Sequence, residues 1–241
     1  MARRAYTPEA TSSRDSASLQ ALFRLSSASL PVGGYSYSQG LESAVNDGRV
    51  TNLVGLKKWL LSALDLWPKN DALLWALIYS AIQTRTFETL VALNRIHWAS
   101  RDVVELRAET EQMGWSLVRL LSELNWLEGD LQSCLLKLDP PTFLTAHASA
   151  CHAKTIRLED GLVSFCFAFV EGQIQAAQKL LPIGQAAGQG LLGEIQPHID
   201  QCIEKTLSNL HAGEACLHTA APMHAILCAR HEFQYSRLFR S

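Results

Sequence analysis

Apolar side chains recur at steps of three and four along most of the chain, the spacing that lines one face of an α-helix. Leu53, Leu56, Leu60, Leu64 and Trp67 form such a stripe, with Thr51 placed to cap its start and Pro68 to close it. Further amphipathic stretches run from Ala72 to Ile82 and from Phe87 to about Trp98. Leu106, Met113, Leu117, Leu120 and Leu124 mark a longer helix whose Arg, Glu and Gln residues fall mainly on the opposite face. Leu127 to Leu138 predicts another, stopped by Asp139, Pro140 and Pro141, and proline suits the first turn of a helix that follows. VSFCFAFV at 163–170 has the run of a buried strand, but EGQIQAAQKLL continues it to helical length, so 162–181 reads as a buried helix. Pro182 and Gly184 interrupt. A long helical region then runs from about Gln185 to His211, kinked or split at Pro197, and a last one begins near Pro222.

No repeat of fixed period and no low-complexity linker falls inside 19–232. The expected architecture is therefore all-α, a single helical-bundle domain of about ten helices, with a disordered N-terminal tail at 1–18 and a C-terminal tail at 233–241. The opening MARRAYTPEATSSRDSAS lacks the apolar run of a signal peptide, and the longest strongly apolar run, Leu162 to Val170, is too short to span a bilayer.

Composition strengthens the helical reading: 38 Leu and 29 Ala stand against 10 Val and 10 Ile, and β-branched residues are the ones that lose rotamer freedom in helices. Charged residues make up only 18%, where about 25% is usual, so the surface is under-charged. A formal net charge of −2 supplies no basic field for nucleic acid or for an anionic membrane. Six cysteines without a CxxC pair read as reduced thiols of a cytoplasmic protein.

Catalytic patterns fail on context. Gly188, Gly190 and Gly193 spell GxGxxG with no strand before them, and there is no GxxxxGK[ST] loop. His231 and Glu232 open HExx, but the position for the second histidine is Tyr235, and GGYSYSQG around Ser36 and Ser38 does not match GxSxG. No enzyme is expected. A soft-donor metal site is the alternative: His218, His224, Cys228 and His231 crowd together, and His224, Cys228 and His231 fall on one helix face at steps of four and three. Plain packing of a partly buried helix accounts for the same residues, as it does for Cys151 and His152.

Two stretches look unlike packing. LPVGGYSYSQGLE at 30–42 is a proline- and glycine-bent loop carrying tyrosines, serines and a glutamine; it reads either as a partner surface or as a capped turn between helices. ARHEFQYSRLFRS at 229–241 alternates Arg230, Arg237 and Arg240 with Phe233, Tyr235, Leu238 and Phe239, residue types enriched in binding hot spots, on an end with no evident neighbours to bury them.

With ELRAETEQMGWSLVRLL at 105–121 and KLLPIGQAAGQ at 179–189, these two stretches resemble the urease accessory protein UreF family in order and spacing over most of the chain. The resemblance implies an all-α homodimer without catalytic activity or cofactor. Such a protein bridges a UreD-type (UreH-type) accessory protein and the GTPase UreG, and so delivers nickel to apo-urease. It implicates Gly34, Tyr35, Ser36, Ser38, Gly40 and Glu42 in the first stretch and Lys179, Pro182, Gly184 and Gln185 in the third. In the tail it implicates Arg230, His231, Glu232, Gln234, Tyr235, Arg237, Leu238, Phe239 and Arg240, with the tail ordering against the UreD-type partner and the loop contributing to the GTPase contact. The segment 140–171 fits the family pattern loosely.

Overall fold

The computed structural model describes residues 15–212, 217–218 and 220–241. Among them are eleven α-helices and no strand. In chain order they are α1 (Ser16–Ser26), α2 (Leu41–Asn46), α3 (Leu53–Leu66), α4 (Asp71–Gln83), α5 (Phe87–Ala99), α6 (Val104–Glu123), α7 (Gly129–Leu136), α8 (Phe143–Ala153), α9 (Leu158–Leu180), α10 (Gln185–Ala212) and α11 (Pro222–His231). Single 3-10 turns cover Gly34–Ser36 and Trp67–Lys69. No helix of the described residues is long and apolar enough to cross a membrane.

α4 forms the middle of the bundle. Leu73, Leu74, Trp75, Ala76 and Ile78 are all fully buried, because α5, α8, α9 and α10 pack around it and leave it no polar face. The Trp75 indole N–H donates to Nδ1 of His147 on α8 at 3.1 Å, and the Tyr79 hydroxyl donates to the Ile156 carbonyl at 2.7 Å, so the buried aromatic donors are satisfied. α6 and α8 approach closely at Gly114, where a Cβ would stand 2.0 Å from the carbonyl oxygen of Pro141.

The run 163–170 lies inside one helix, α9, whose acidic first turn (Glu159, Asp160) and Lys179 in the last turn suit the helix dipole. The GxGxxG glycines fall inside α10, where no phosphate cradle exists, and Pro197 leaves that helix unsplit. Several boundaries differ from the sequence reading by a residue or a few. Asn52, not Thr51, caps α3, accepting the Gly55 N–H at 3.0 Å. Thr142 caps α8, so Pro140 and Pro141 precede that helix rather than entering its first turn. Asp15 caps α1, so residues 16–18 of the expected N-terminal tail are helical, and 1–14 lie outside the described residues.

Candidate functional site

The stretches that carry the family resemblance, far apart in sequence, meet at one end of the bundle. The loop 30–42 is shaped by Gly33 and Gly40, both left-handed at φ +80° and +81°, conformations that favour glycine. Gly40 also lets the loop press against α11, since a Cβ there would lie 2.8 Å from Cys228 Sγ. Behind the loop runs α6.

The tail does not hang free; it folds back along this loop. The Arg240 N–H donates to the Ser36 carbonyl at 2.8 Å, and the Ser38 N–H and hydroxyl both donate to the main-chain oxygen of Ser241, at 2.6 and 2.5 Å. Glu42, buried on α2, gathers the rest: its carboxylate accepts the N–H of Leu238 at 2.7 Å and of Phe239 at 3.0 Å, and lies 3.0 Å from His231 Nε2. Nδ1 of the same buried imidazole lies 2.8 Å from Glu105, which also accepts from Arg237 at 2.6 Å. Phe239 is only 5% exposed, with the Lys179 ammonium 5.2 Å from its ring centroid. One of the four large tail side chains is thus buried within its own chain, because Glu42 supplies acceptors that fix the backbone around it. The other three stay out: Phe233 is 85% exposed, Tyr235 fully so and Leu238 60%, joined by the loop's Tyr35 at 69%.

Other implicated residues take supporting places. Gln234 bonds Asn46 and Ser43, and Arg230 bonds Asp47, so the start of the tail is clipped to α2. Gly34 sits against Met113 of α6, while Glu232 is exposed. Pro182, Gly184 and Gln185 are exposed at the junction of α9 and α10, and Lys179 is the member of that stretch that meets the tail.

Glu105, Glu109 and Gln112 were not singled out in the sequence, yet they line one face of α6 toward the loop and tail. Glu109 accepts from Gln39 at 2.5 Å and from the Ser241 hydroxyl at 2.9 Å, and Gln112 accepts from the Tyr37 hydroxyl at 2.5 Å and from Arg240 at 3.0 Å. Their spacing of four and three, inside one of the resembling stretches, was the available signal.

The metal alternative is not assembled. His231 is committed to Glu42 and Glu105, and Nε2 of His224 lies 2.9 Å from the Gln39 carbonyl. Cys228 does approach His224, at 3.6 Å, but burial pushes its thiol up to about 12, against the thiolate a metal needs. Among the described residues no group of three His, Cys, Asp or Glu side chains is arranged to hold a metal ion.

Buried titratable groups set an expected pH profile. Burial holds His97 down to about 3 and His147 to about 4, so both stay neutral in the fold while an unfolded chain takes up their protons below its ordinary 6.5. Each makes stability rise with pH through that interval. Burial acts oppositely on Glu109, raising it from 4.5 to about 7; there the fold keeps a proton that the unfolded chain has lost, and stability falls as pH rises. Between pH 4.5 and 6.5, His97 and His147 are opposed by Glu109 and by Glu171, which burial also raises, while His152 and His224, lowered by burial, add to the histidine side. Folding stability should therefore climb over that range, on the order of 1 kcal/mol per pH unit where the slope is steepest, carrying the thermal midpoint up with it, and more steeply in Glu109→Gln. A flat or falling midpoint in scanning calorimetry would contradict the assignment.

The family model described as UreF matches residues 50–196. The urease accessory protein UreF of Ralstonia pickettii is 40% identical over 227 residues, covering 94% of this chain and 99% of that protein. That of Polynucleobacter asymbioticus is 39% identical over 224 residues, covering 92% and 97%. The bifunctional urease accessory protein UreEF of Bordetella bronchiseptica is 39% identical over 242 residues, covering all of this chain and 56% of that protein. With its all-α bundle and its loop and tail paired across α2 and α6, the chain belongs to the UreF family of urease accessory proteins.

Proposed function

We propose that this protein acts in urease maturation as a non-enzymatic docking component, bridging a UreD-type (UreH-type) accessory protein and a UreG-type GTPase so that nickel reaches apo-urease. It works as a cytoplasmic homodimer. The observation that carries this reading is the patch of Tyr35, Phe233, Tyr235 and Leu238, which stay exposed although the segments bearing them are tied down: Tyr35 precedes Ser36, whose carbonyl accepts from Arg240, Glu42 accepts the Leu238 N–H, and Phe233 and Tyr235 flank Gln234, which bonds Asn46 and Ser43. Large apolar groups held out on an ordered support are already organised for a partner, which lowers the entropic cost of association. The tail residues face the UreD-type protein and Tyr35 the GTPase. Family membership supports the reading, and the name of the Bordetella relative, a UreE and UreF fusion, joins two accessory proteins in one chain.

Changing Phe233 and Tyr235 together to Ala should leave thermal stability within about 0.5 kcal/mol, since both are solvated, yet abolish co-elution with the UreD-type protein on size exclusion. Tyr35→Ala should spare that complex and weaken GTPase recruitment by about 2 kcal/mol. Normal urease activation by both variants would remove the patch from function.

A further inference from the structure

Behind the loop, a cavity of about 620 Å³ penetrates the bundle. Most of its wall is apolar, including Trp59, Trp67, Phe165 and Phe169, but one side carries the ion pair of Asp71 and Arg101. The pair is bidentate: Arg101 donates to the two Asp71 oxygens at 2.7 and 3.3 Å and to Ser100 at 3.1 and 3.3 Å. These bonds use four of the five guanidinium N–H groups, and each carboxylate oxygen keeps a lone pair. The two side chains retain 13% and 18% exposure and both line the cavity. On the same wall, Oδ1 of Asn70 and Nδ1 of His97 are buried without a hydrogen-bond partner among the described residues. Buried polar atoms are seldom left unmet, so this wall has polar capacity that the described residues do not fill.

We infer that the cavity is a binding site for a small uncharged molecule with an apolar body and a primary carboxamide head, the head donating N–H to Asp71 and accepting from Arg101. At the ion pair a cation would meet the Arg101 guanidinium and an anion the Asp71 carboxylate, and the pair offers no net charge to compensate either; of the other charged groups in the lining, burial raises Glu109 and Glu171 toward their neutral forms, while the exposed Asp102 and Lys179 are opposite in sign. The nearby His97 and His224 are held toward their neutral forms by burial, so they add no counter-charge for an anion. An apolar cavity of several hundred Å³ with a few convergent polar groups is the usual form of a small-molecule site. Tyr35 and Met223 line it and are exposed, which places its mouth beside the loop. The inference stands independently of the docking role.

Four probes sharing one chain length test it by calorimetric titration of the full protein: hexanamide, N,N-dimethylhexanamide, hexanoate and hexylammonium. Hexanamide should bind in the millimolar range or tighter, and each of the others at least tenfold more weakly. Two variants locate the site. Ala168→Phe fills the cavity and leaves the ion pair, whereas Asp71→Leu with Arg101→Met replaces both charges together, an exchange that folds tolerate better than removing one. Hexanamide affinity should fall at least tenfold in each, with the circular dichroism of the folded chain retained. Equal binding of either charged probe or of the dimethyl amide, undiminished hexanamide binding in Ala168→Phe, or no hexanamide binding up to its solubility would each overturn the inference.

Discussion

Glu42→Ala should unlock the tail and cost the protein about 3 kcal/mol or more of folding stability. The side chain is 5% exposed and serves three donors at once: the N–H groups of Leu238 and Phe239, and His231. Removing the shared acceptor is expensive because each buried donor is left unsatisfied, at about 1–3 kcal/mol apiece. His231 would keep Glu105 and so lose only half of its support, which sets the lower figure. Glu42→Gln tests whether charge and acceptor count matter rather than volume, because its amide nitrogen would face N–H groups; it should lose most of the same energy. Urea denaturation measures the loss, and limited proteolysis reads the tail, which should become cleavable between Glu232 and Arg240 under native conditions. Wild-type stability together with a protease-resistant tail would mean that Glu42 is not the anchor.

Gly114→Leu should be of comparable severity, although what a side chain there meets first is the backbone of Pro141 and Thr142 rather than loop or tail. Even a Cβ there would stand 2.0 Å from the Pro141 carbonyl oxygen and 2.8 Å from the carbonyl carbons of Pro141 and Thr142, all of them backbone atoms that cannot swing aside. α6 must then lift from α8, at a cost of about 3 kcal/mol or more. α6 also carries Glu105, Glu109 and Gln112, so the displacement reaches the tail. Gly172→Ala supplies the contrast: its Cβ would meet nothing within 4 Å inside α9, and the change should stabilise by roughly 0.5–1 kcal/mol. Both are measurable as shifts in the thermal midpoint, and a Gly114→Leu protein as stable as wild type would show that the two helices are less tightly apposed.

Helix positions were legible in the sequence because each buried stripe is a local pattern. α3 and the turn after it are an example, with Leu56, Leu60, Leu64 and Trp67 buried and Leu53 half-buried at the spacing read from the chain. The run 163–170 was decided by length rather than periodicity, since an apolar strand and a helix buried on several sides look alike over eight residues. Caps slipped by a residue or more where neighbouring polar residues competed, as with Thr51 and Asn52.

The loop and the tail were legible as unusual compositions, but their pairing was not. The contacts that join them separate residues by 196, 197 and 203 positions, and no local pattern encodes such a pairing. For the same reason the tail read as an end without neighbours. Glu105 and Glu109 went unnoticed because a carboxylate on a helix is ordinarily a solvated face; here it turns inward toward donors supplied by other segments.

The backbone bonds that pair loop and tail have a consequence for observation. The amide hydrogens of Ser38, Leu238, Phe239 and Arg240 are all donated between the two segments or to Glu42. Their deuterium uptake is therefore governed by how often loop and tail separate, and the ratio of intrinsic to measured exchange rate converts to the free energy of that opening. These four protons act as an internal gauge, needing no attached probe and no substitution, on which the protein alone and the protein in any assembly are read on one scale.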